Sequence, residues 1–285
     1  MKLKNAGVYV LGIYLLCYFF RIVEYFGIRT DQTIIGEAFI HKLIGIVIII
    51  LVMKKCSYHF EDIGIMRKGC IRYTFYGLAF GLAMFLVGYG TEVAILRAQG
   101  KFQSMEVYVS SYAVDQNIAM ESGMLFLIIC IVGNIVNVMM EETLFRGVFQ
   151  KIMMRKFSFV KAAVFCSILF GLWHVIGPIR NYMDGISSLQ GTIANILMLF
   201  ITSGLIAFKF AMLSRLEGAL YMGMADHFVN NTIVNLLHVT SSTGTDEMMF
   251  VRISIAQSIS FVIVLLVFLN RSRGISTERV LRTCK

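Results

Sequence analysis

Eight apolar stretches, each near the roughly 20 residues a helix needs to cross a hydrocarbon core, leave this 285-residue chain little choice of solvent. They fall at approximately 6–27, 34–53, 73–96, 123–153, 159–176, 192–213, 218–238 and 250–269. Within a bilayer no water satisfies the backbone, so spanning segments are helices or strands of a closed barrel. The alternating ten-residue pattern of barrel strands is missing, and all eight are predicted to be helices. Composition agrees: 58% of the residues are hydrophobic and 15% charged, with one Pro, where a soluble domain would carry about a quarter charged residues. The expected fold class is all-α, a polytopic membrane helix bundle of about eight transmembrane helices, with residues 1–285 forming a single membrane domain.

The net charge of +9 reads as topology rather than nucleic-acid binding, because the basic residues sit in short loops between apolar spans. With the N-terminus inside, eighteen Lys and Arg fall in the inner loops and the C-terminal tail, against Arg29, Arg97, Lys101 and Arg180 outside. That bias predicts an integral, multi-pass protein with both termini cytoplasmic. Met1-Lys2-Leu3-Lys4 and the run from Gly7 to Phe20 look like a signal peptide, but Phe19-Phe20-Arg21 is a poor cleavage site, so a retained span is expected. The six cysteines show no CxxC pair and no zinc-finger spacing, and are expected to be reduced and structural. Arg282-Thr283-Cys284-Lys285 is not a CaaX box.

The inner loop from Lys54 to Arg72 contains Phe60-Glu61-Asp62-Ile63-Gly64-Ile65, expected to lie at the membrane interface. The outer loop from Arg97 to Gly123 is expected to hold a short helix. Segment four is too long for a simple span, since 30 helical residues rise about 45 Å. It must tilt and protrude or break, and its acidic pair is the place for that adjustment.

That pair lies in Met139-Met140-Glu141-Glu142-Thr143-Leu144-Phe145-Arg146-Gly147. Each charge near a bilayer centre costs roughly 2.5 to 3.5 kcal/mol on insertion scales, so the three need pairing, protonation or a wet cavity. Glu142 and Arg146 are four apart and share a helical face; Glu141, rotated about 100° away, need not share that partner. Two readings stay open, a catalytic carboxylate beside a structural ion pair and a purely structural lock between helices.

Two further polar clusters interrupt apolar spans: Phe170-Gly171-Leu172-Trp173-His174, and Ala225-Asp226-His227-Phe228-Val229-Asn230-Asn231. Glu141 lies about 16 residues before the turn near Lys156 to Ser158 and His174 about 17 after it, which places both at one depth. His227 and Asn231 share a face of segment seven, and Asp226 is expected to orient the His227 ring. A carboxylate, two imidazoles and an amide are the parts of a hydrolase: a base to take a proton from water and N–H donors for an oxyanion. Zinc held by Glu141, His174 and His227 is the competing chemistry, although no HExxH occurs. No Gly-x-Ser-x-Gly elbow occurs either, and no pair of Asp residues occupies mid-span. His41, His59 and His238 are expected at the interface.

Together the three clusters resemble the type II CAAX prenyl endopeptidase family, also called CPBP or Abi proteins, a group of intramembrane proteases. Glu141, Glu142 and Arg146 match its Glu-Glu-x-x-x-Arg motif, Phe170 and His174 its Phe-x-x-x-His, and His227 and Asn231 its His-x-x-x-Asn. The likeness covers roughly residues 139 to 237, and Asp62-Ile63-Gly64-Ile65 is similar to a loop common in the family. The resemblance implies a catalytic core over 124–238, Glu141 as general base assisted by His174, and His227 and Asn231 as the oxyanion hole. Glu142 and Arg146 would support the packing. It favours a glutamate mechanism without a cofactor over a zinc-dependent one. The implied partners are membrane lipids and a membrane-associated protein or peptide substrate, of CAAX type or an equivalent such as a bacteriocin-related peptide, and no nucleic acid. The alternative is a non-proteolytic immunity or regulatory protein that binds a membrane partner. A transporter is disfavoured by the lack of repeated halves.

Overall fold

The computed structural model describes residues 5–33, 35, 38–110 and 121–283, with side chains as far as Ser272. Lys2, Lys4, Cys284, Lys285 and the middle of the outer loop, 111–120, lie outside the described residues. The elements run α1 (Ala6–Val23), α2 (Ile40–Cys56), α3 (Cys70–Ala98), β1 (Phe102–Val107), α4 (Met124–Glu142), a π-helical turn (Thr143–Phe149), α5 (Gln150–Met153), α6 (Phe159–Trp173), α7 (Ile176–Met183), α8 (Leu189–Glu217), α9 (Tyr221–Leu236), β2 (Leu237–Ser241) and α10 (Met249–Thr283). Each of the eight apolar segments coincides with a helix. Among the described residues six helical stretches are long and apolar enough to cross a membrane; α2 and α9, with 17 and 16 residues, are shorter than those six.

Burial is inverted relative to a soluble protein. Leu86, Leu197, Ile201 and Leu205 point outward, while Arg21, Glu24, Glu92, Glu141, Glu142, Arg146 and Lys209 are buried. This is the arrangement a hydrocarbon solvent imposes, with ionisable groups turned inward to find partners. Glu24 illustrates it. Its carboxylate accepts the backbone N–H groups of Phe39, Ile40 and His41 at 2.7, 2.7 and 2.6 Å, satisfying the open amides at the start of α2. Its Oε2 also meets His41 Nδ1 at 2.6 Å. His41 is therefore buried rather than interfacial, because the charge that caps α2 needs it; His59 is exposed.

Small residues bring α3 against α9, the helix that carries His227 and Asn231. A Cβ on Gly77 would sit 2.3 Å from the Met222 carbonyl oxygen and 2.7 Å from Ala225 Cβ, an approach only glycine permits. Gly77→Leu is expected to lower stability by about 3 kcal/mol, the upper end for overpacking because the obstacle is backbone. Gly90→Leu, with nothing within 4 Å of its Cβ position, is the matched control. Thermal midpoints in detergent check this, and equal midpoints for the two variants would contradict the packing.

Among its described residues the outer loop, expected to hold a short helix, holds a strand. Phe102–Val107 pairs antiparallel with Leu237–Ser241, Met105 opposite Val239. β2 continues directly from α9, and the Tyr89 hydroxyl donates to the Leu237 carbonyl at 2.5 Å, so the end of α9 offers an edge that the loop covers. His238, expected at the interface, is buried in this layer. It stacks on Tyr108 at 3.8 Å and binds Asp246, which also meets Arg252 at 2.8 Å. Burial pushes the Asp246 carboxyl up, but His238 and Arg252 outweigh it and hold the group below the usual carboxylate range.

The 60–65 loop is anchored: Ile63 is buried and the Gly64 carbonyl accepts the Leu220 N–H at 3.0 Å, which pins the loop to the start of α9. Segment four does not break at the acidic pair: its hydrogen bonding widens into the π turn immediately after Glu142, a local adjustment often found at functional sites.

Candidate active site

Glu141 and Glu142 end α4 side by side but face different partners. Glu141 Oε1 accepts the indole N–H of Trp173 at 2.9 Å and lies 3.7 Å from Arg21 Nη1. Its Oε2 has no hydrogen-bond partner among the described protein groups and stands 3.8 Å from His227 Nε2. Glu142 Oε1 accepts from His227 Nδ1 at 2.8 Å and lies 3.2 Å from Arg146 Nη1. The π turn delivers Arg146 between two rings, 4.1 Å from the centroid of Phe170 and 5.2 Å from that of Phe210, a stacked cation that joins three helical elements.

His174 follows the last residue of α6 and its Nδ1 lies 2.8 Å from the Phe170 carbonyl oxygen. A carbonyl only accepts, so Nδ1 carries the proton and Nε2 of the neutral ring is an acceptor. The same reasoning applies to His227, whose Nδ1–H faces the Glu142 carboxylate, so its Nε2 donates only when the ring holds both protons. Phe210 stacks on His227 with centroids 5.0 Å apart. Glu142, and not Asp226, orients this ring. Asp226 turns away to Lys209 Nζ at 2.6 Å, because adjacent helical residues point about 100° apart.

A cavity of about 630 Å³ is lined by Phe170, His174, His227 and Asn231. Its remaining walls are mostly apolar side chains of α8 and α10, including Leu205 and Val262, both half-exposed on the outer surface. Glu141 is one side chain removed from the wall, against His227. A smaller cavity of about 260 Å³, bordered by Arg21, Tyr25, Asn181 and Asn195, shares His174, Met198 and Leu199 with the first. Another cavity, of about 640 Å³ beneath Lys54 and Tyr58, is lined by none of the candidate residues. Among the described residues no three His, Cys, Asp or Glu side chains are grouped to hold a metal ion, so the set Glu141, His174 and His227 does not form a ligand cluster.

Sequence reasoning missed Trp173 and Arg21. Both carried a signal: Arg21 is an ionisable residue inside a span, and Trp173 is the one Trp of the chain, placed between two motif residues.

The fold and these clusters define an integral membrane helix bundle with a polar, cavity-lined interior. Residues 123–233 match the family model described as type II CAAX prenyl endopeptidase Rce1-like. No curated protein matches the chain. The matched stretch contains all three motifs that carried the resemblance.

Proposed function

We propose that this protein is an intramembrane endopeptidase that hydrolyses a peptide bond of a membrane-associated protein or peptide, with 124–238 as its catalytic core. The supporting observation is the meeting of His174, His227 and Asn231 on one largely apolar cavity, with the uncommitted Oε2 of Glu141 against His227. Glu141, assisted by His174 Nε2, takes a proton from water as the oxygen attacks the scissile carbonyl carbon. The negative charge on the carbonyl oxygen is met by Asn231 Nδ2–H and, when the ring holds both protons, by His227 Nε2–H, each such donor being worth about 10² to 10³ in rate. As the C–N bond breaks, Glu141 returns its proton to the departing amine. The apolar walls between α8 and α10 suit a chain bearing a lipid, of CAAX type or an equivalent such as a bacteriocin-related peptide. The smaller polar cavity beside Arg21 suits the water. Both termini are taken as cytoplasmic, with the site in the inner half of the bilayer.

The test is cleavage of an internally quenched, farnesylated CaaX peptide by the full chain in proteoliposomes. His174→Ala is expected to lose about 10² to 10⁴ in rate, the usual contribution of a base, and EDTA to leave the wild type unaffected. Wild-type turnover by His174→Ala would remove its assignment. Chelator inhibition reversed specifically by zinc would overturn the glutamate scheme.

A further inference from the structure

Asp226, displaced from the role expected of it, leads to a second network. Lys209 is fully buried, and its ammonium meets Asp226 Oδ2 at 2.6 Å, Gln257 Oε1 at 2.8 Å and Ser260 Oγ at 3.1 Å. The first contact is an ion pair and the other two are hydrogen bonds donated by the ammonium. From Gln257 on α10 the chain continues: its Nε2 donates to Asn230 Oδ1 at 2.8 Å, and Asn230 Nδ2 donates to Asn231 Oδ1 at 2.9 Å. Gln257, Asn230 and Asn231 form a polar strip on the largely apolar wall of the cavity.

The direction of this strip is chemically fixed. An amide can present either edge, but an ammonium only donates. Lys209 therefore compels Gln257 to turn its oxygen inward and its NH₂ to Asn230. Asn230 must then accept from Gln257 and donate onward, which occupies the oxygen of Asn231 and leaves its NH₂ edge for the cavity.

We propose that Gln257 is a positioning residue for the oxyanion hole, the middle link of a relay through which Lys209 holds the Asn231 amide with its N–H donors toward the reacting carbonyl. This rests on the reading of Asn231 as an oxyanion donor. Gln257→Glu keeps size and still accepts from Lys209, but it cannot donate to Asn230. The two asparagines then reverse, and Asn231 offers an oxygen to the oxyanion.

The experiment compares wild type, Gln257→Glu, Asn231→Ala and the double variant in proteoliposomes with the same farnesylated quenched peptide. Gln257→Glu is expected to lower kcat by about 10², the loss of one oxyanion donor, with KM within about two-fold. The double variant should be no slower than Asn231→Ala alone, because the effect of position 257 passes through Asn231. Wild-type turnover by Gln257→Glu, or losses that multiply in the double variant, would overturn the relay. Absence of cleavage by the wild type sinks the endopeptidase reading and not the link between 257 and 231, whereas wild-type turnover by Glu141→Gln ends only the assignment of Glu141 as the base. Thermal midpoints of the four proteins require no substrate. A non-additive shift supports the link between 257 and 231, and an additive one overturns it.

Discussion

Glu141→Gln is expected to lower kcat for peptide cleavage by about 10² to 10⁴, the range for loss of a general base, while the protein keeps its fold. The substitution is chosen from the geometry. The Gln carbonyl can still accept the Trp173 indole N–H, which Glu141 Oε1 takes at 2.9 Å, so the contact between α4 and α6 persists. Arg21 loses a carboxylate 3.7 Å away, but its guanidinium still lies 4.5 Å over the Trp173 ring and donates to the Tyr25 hydroxyl at 3.1 Å. What disappears is the basic oxygen beside His227, replaced by an NH₂ that cannot take a proton. Unchanged circular dichroism with lost turnover is the expected pair of results. Glu141→Ala should be as inactive and less stable, because it strands the indole donor. Glu141→Gln turning over like wild type would end the assignment of Glu141 as the base.

The parts of this arrangement that were legible in the sequence are those governed by one helix at a time. A bilayer forces apolar runs of nearly fixed length, so the helices could be drawn. Counting residues from the turn at Lys156 to Ser158 put Glu141 and His174 at one depth, but it did not disclose that the neighbouring Trp173 donates to Glu141. Periodicity put Glu142 with Arg146, and His227 with Asn231, on shared faces. What a single helix cannot disclose is its neighbour across the bundle. Spacing said that Asp226 lay beside His227 in sequence, but the packing of α9 between α3, α4 and α8 sends Asp226 to Lys209 and leaves His227 to Glu142. The same blindness hid Glu24 at the start of α2 and the β1 strand, whose partner edge is created only where α9 ends. His41 and His238 show one limit of that reading: nearness to a span end suggested water, whereas each ring is buried and hydrogen-bonded to an acidic group beside a helix or strand terminus.

The division of labour inside the acidic pair has its own expected result. Arg146→Met is expected to cost about 3 kcal/mol of stability, the lower end for breaking a buried ion pair from one side. The lower end applies because Glu142 keeps the His227 Nδ1–H at 2.8 Å. The methionine retains contact with Phe170 and Phe210 but not the cation that lay 4.1 Å over the Phe170 ring. Glu142→Ala should be worse on both counts, since it leaves the Arg146 guanidinium buried between rings without its carboxylate and also releases His227 from its orienting acceptor. The two variants therefore separate packing from catalysis. Among the molecules still folded at low temperature, Arg146→Met should turn over within about ten-fold of wild type, whereas Glu142→Ala should approach the roughly 10² loss of an oxyanion donor. Thermal midpoints and single-turnover rates, measured on the same preparations, read the two effects independently. A protein in which Arg146→Met unfolds no sooner than wild type would show that the pair is not the lock between the π turn, α6 and α8. A Glu142→Ala variant with full turnover would show that His227 does its work without an acceptor on Nδ1.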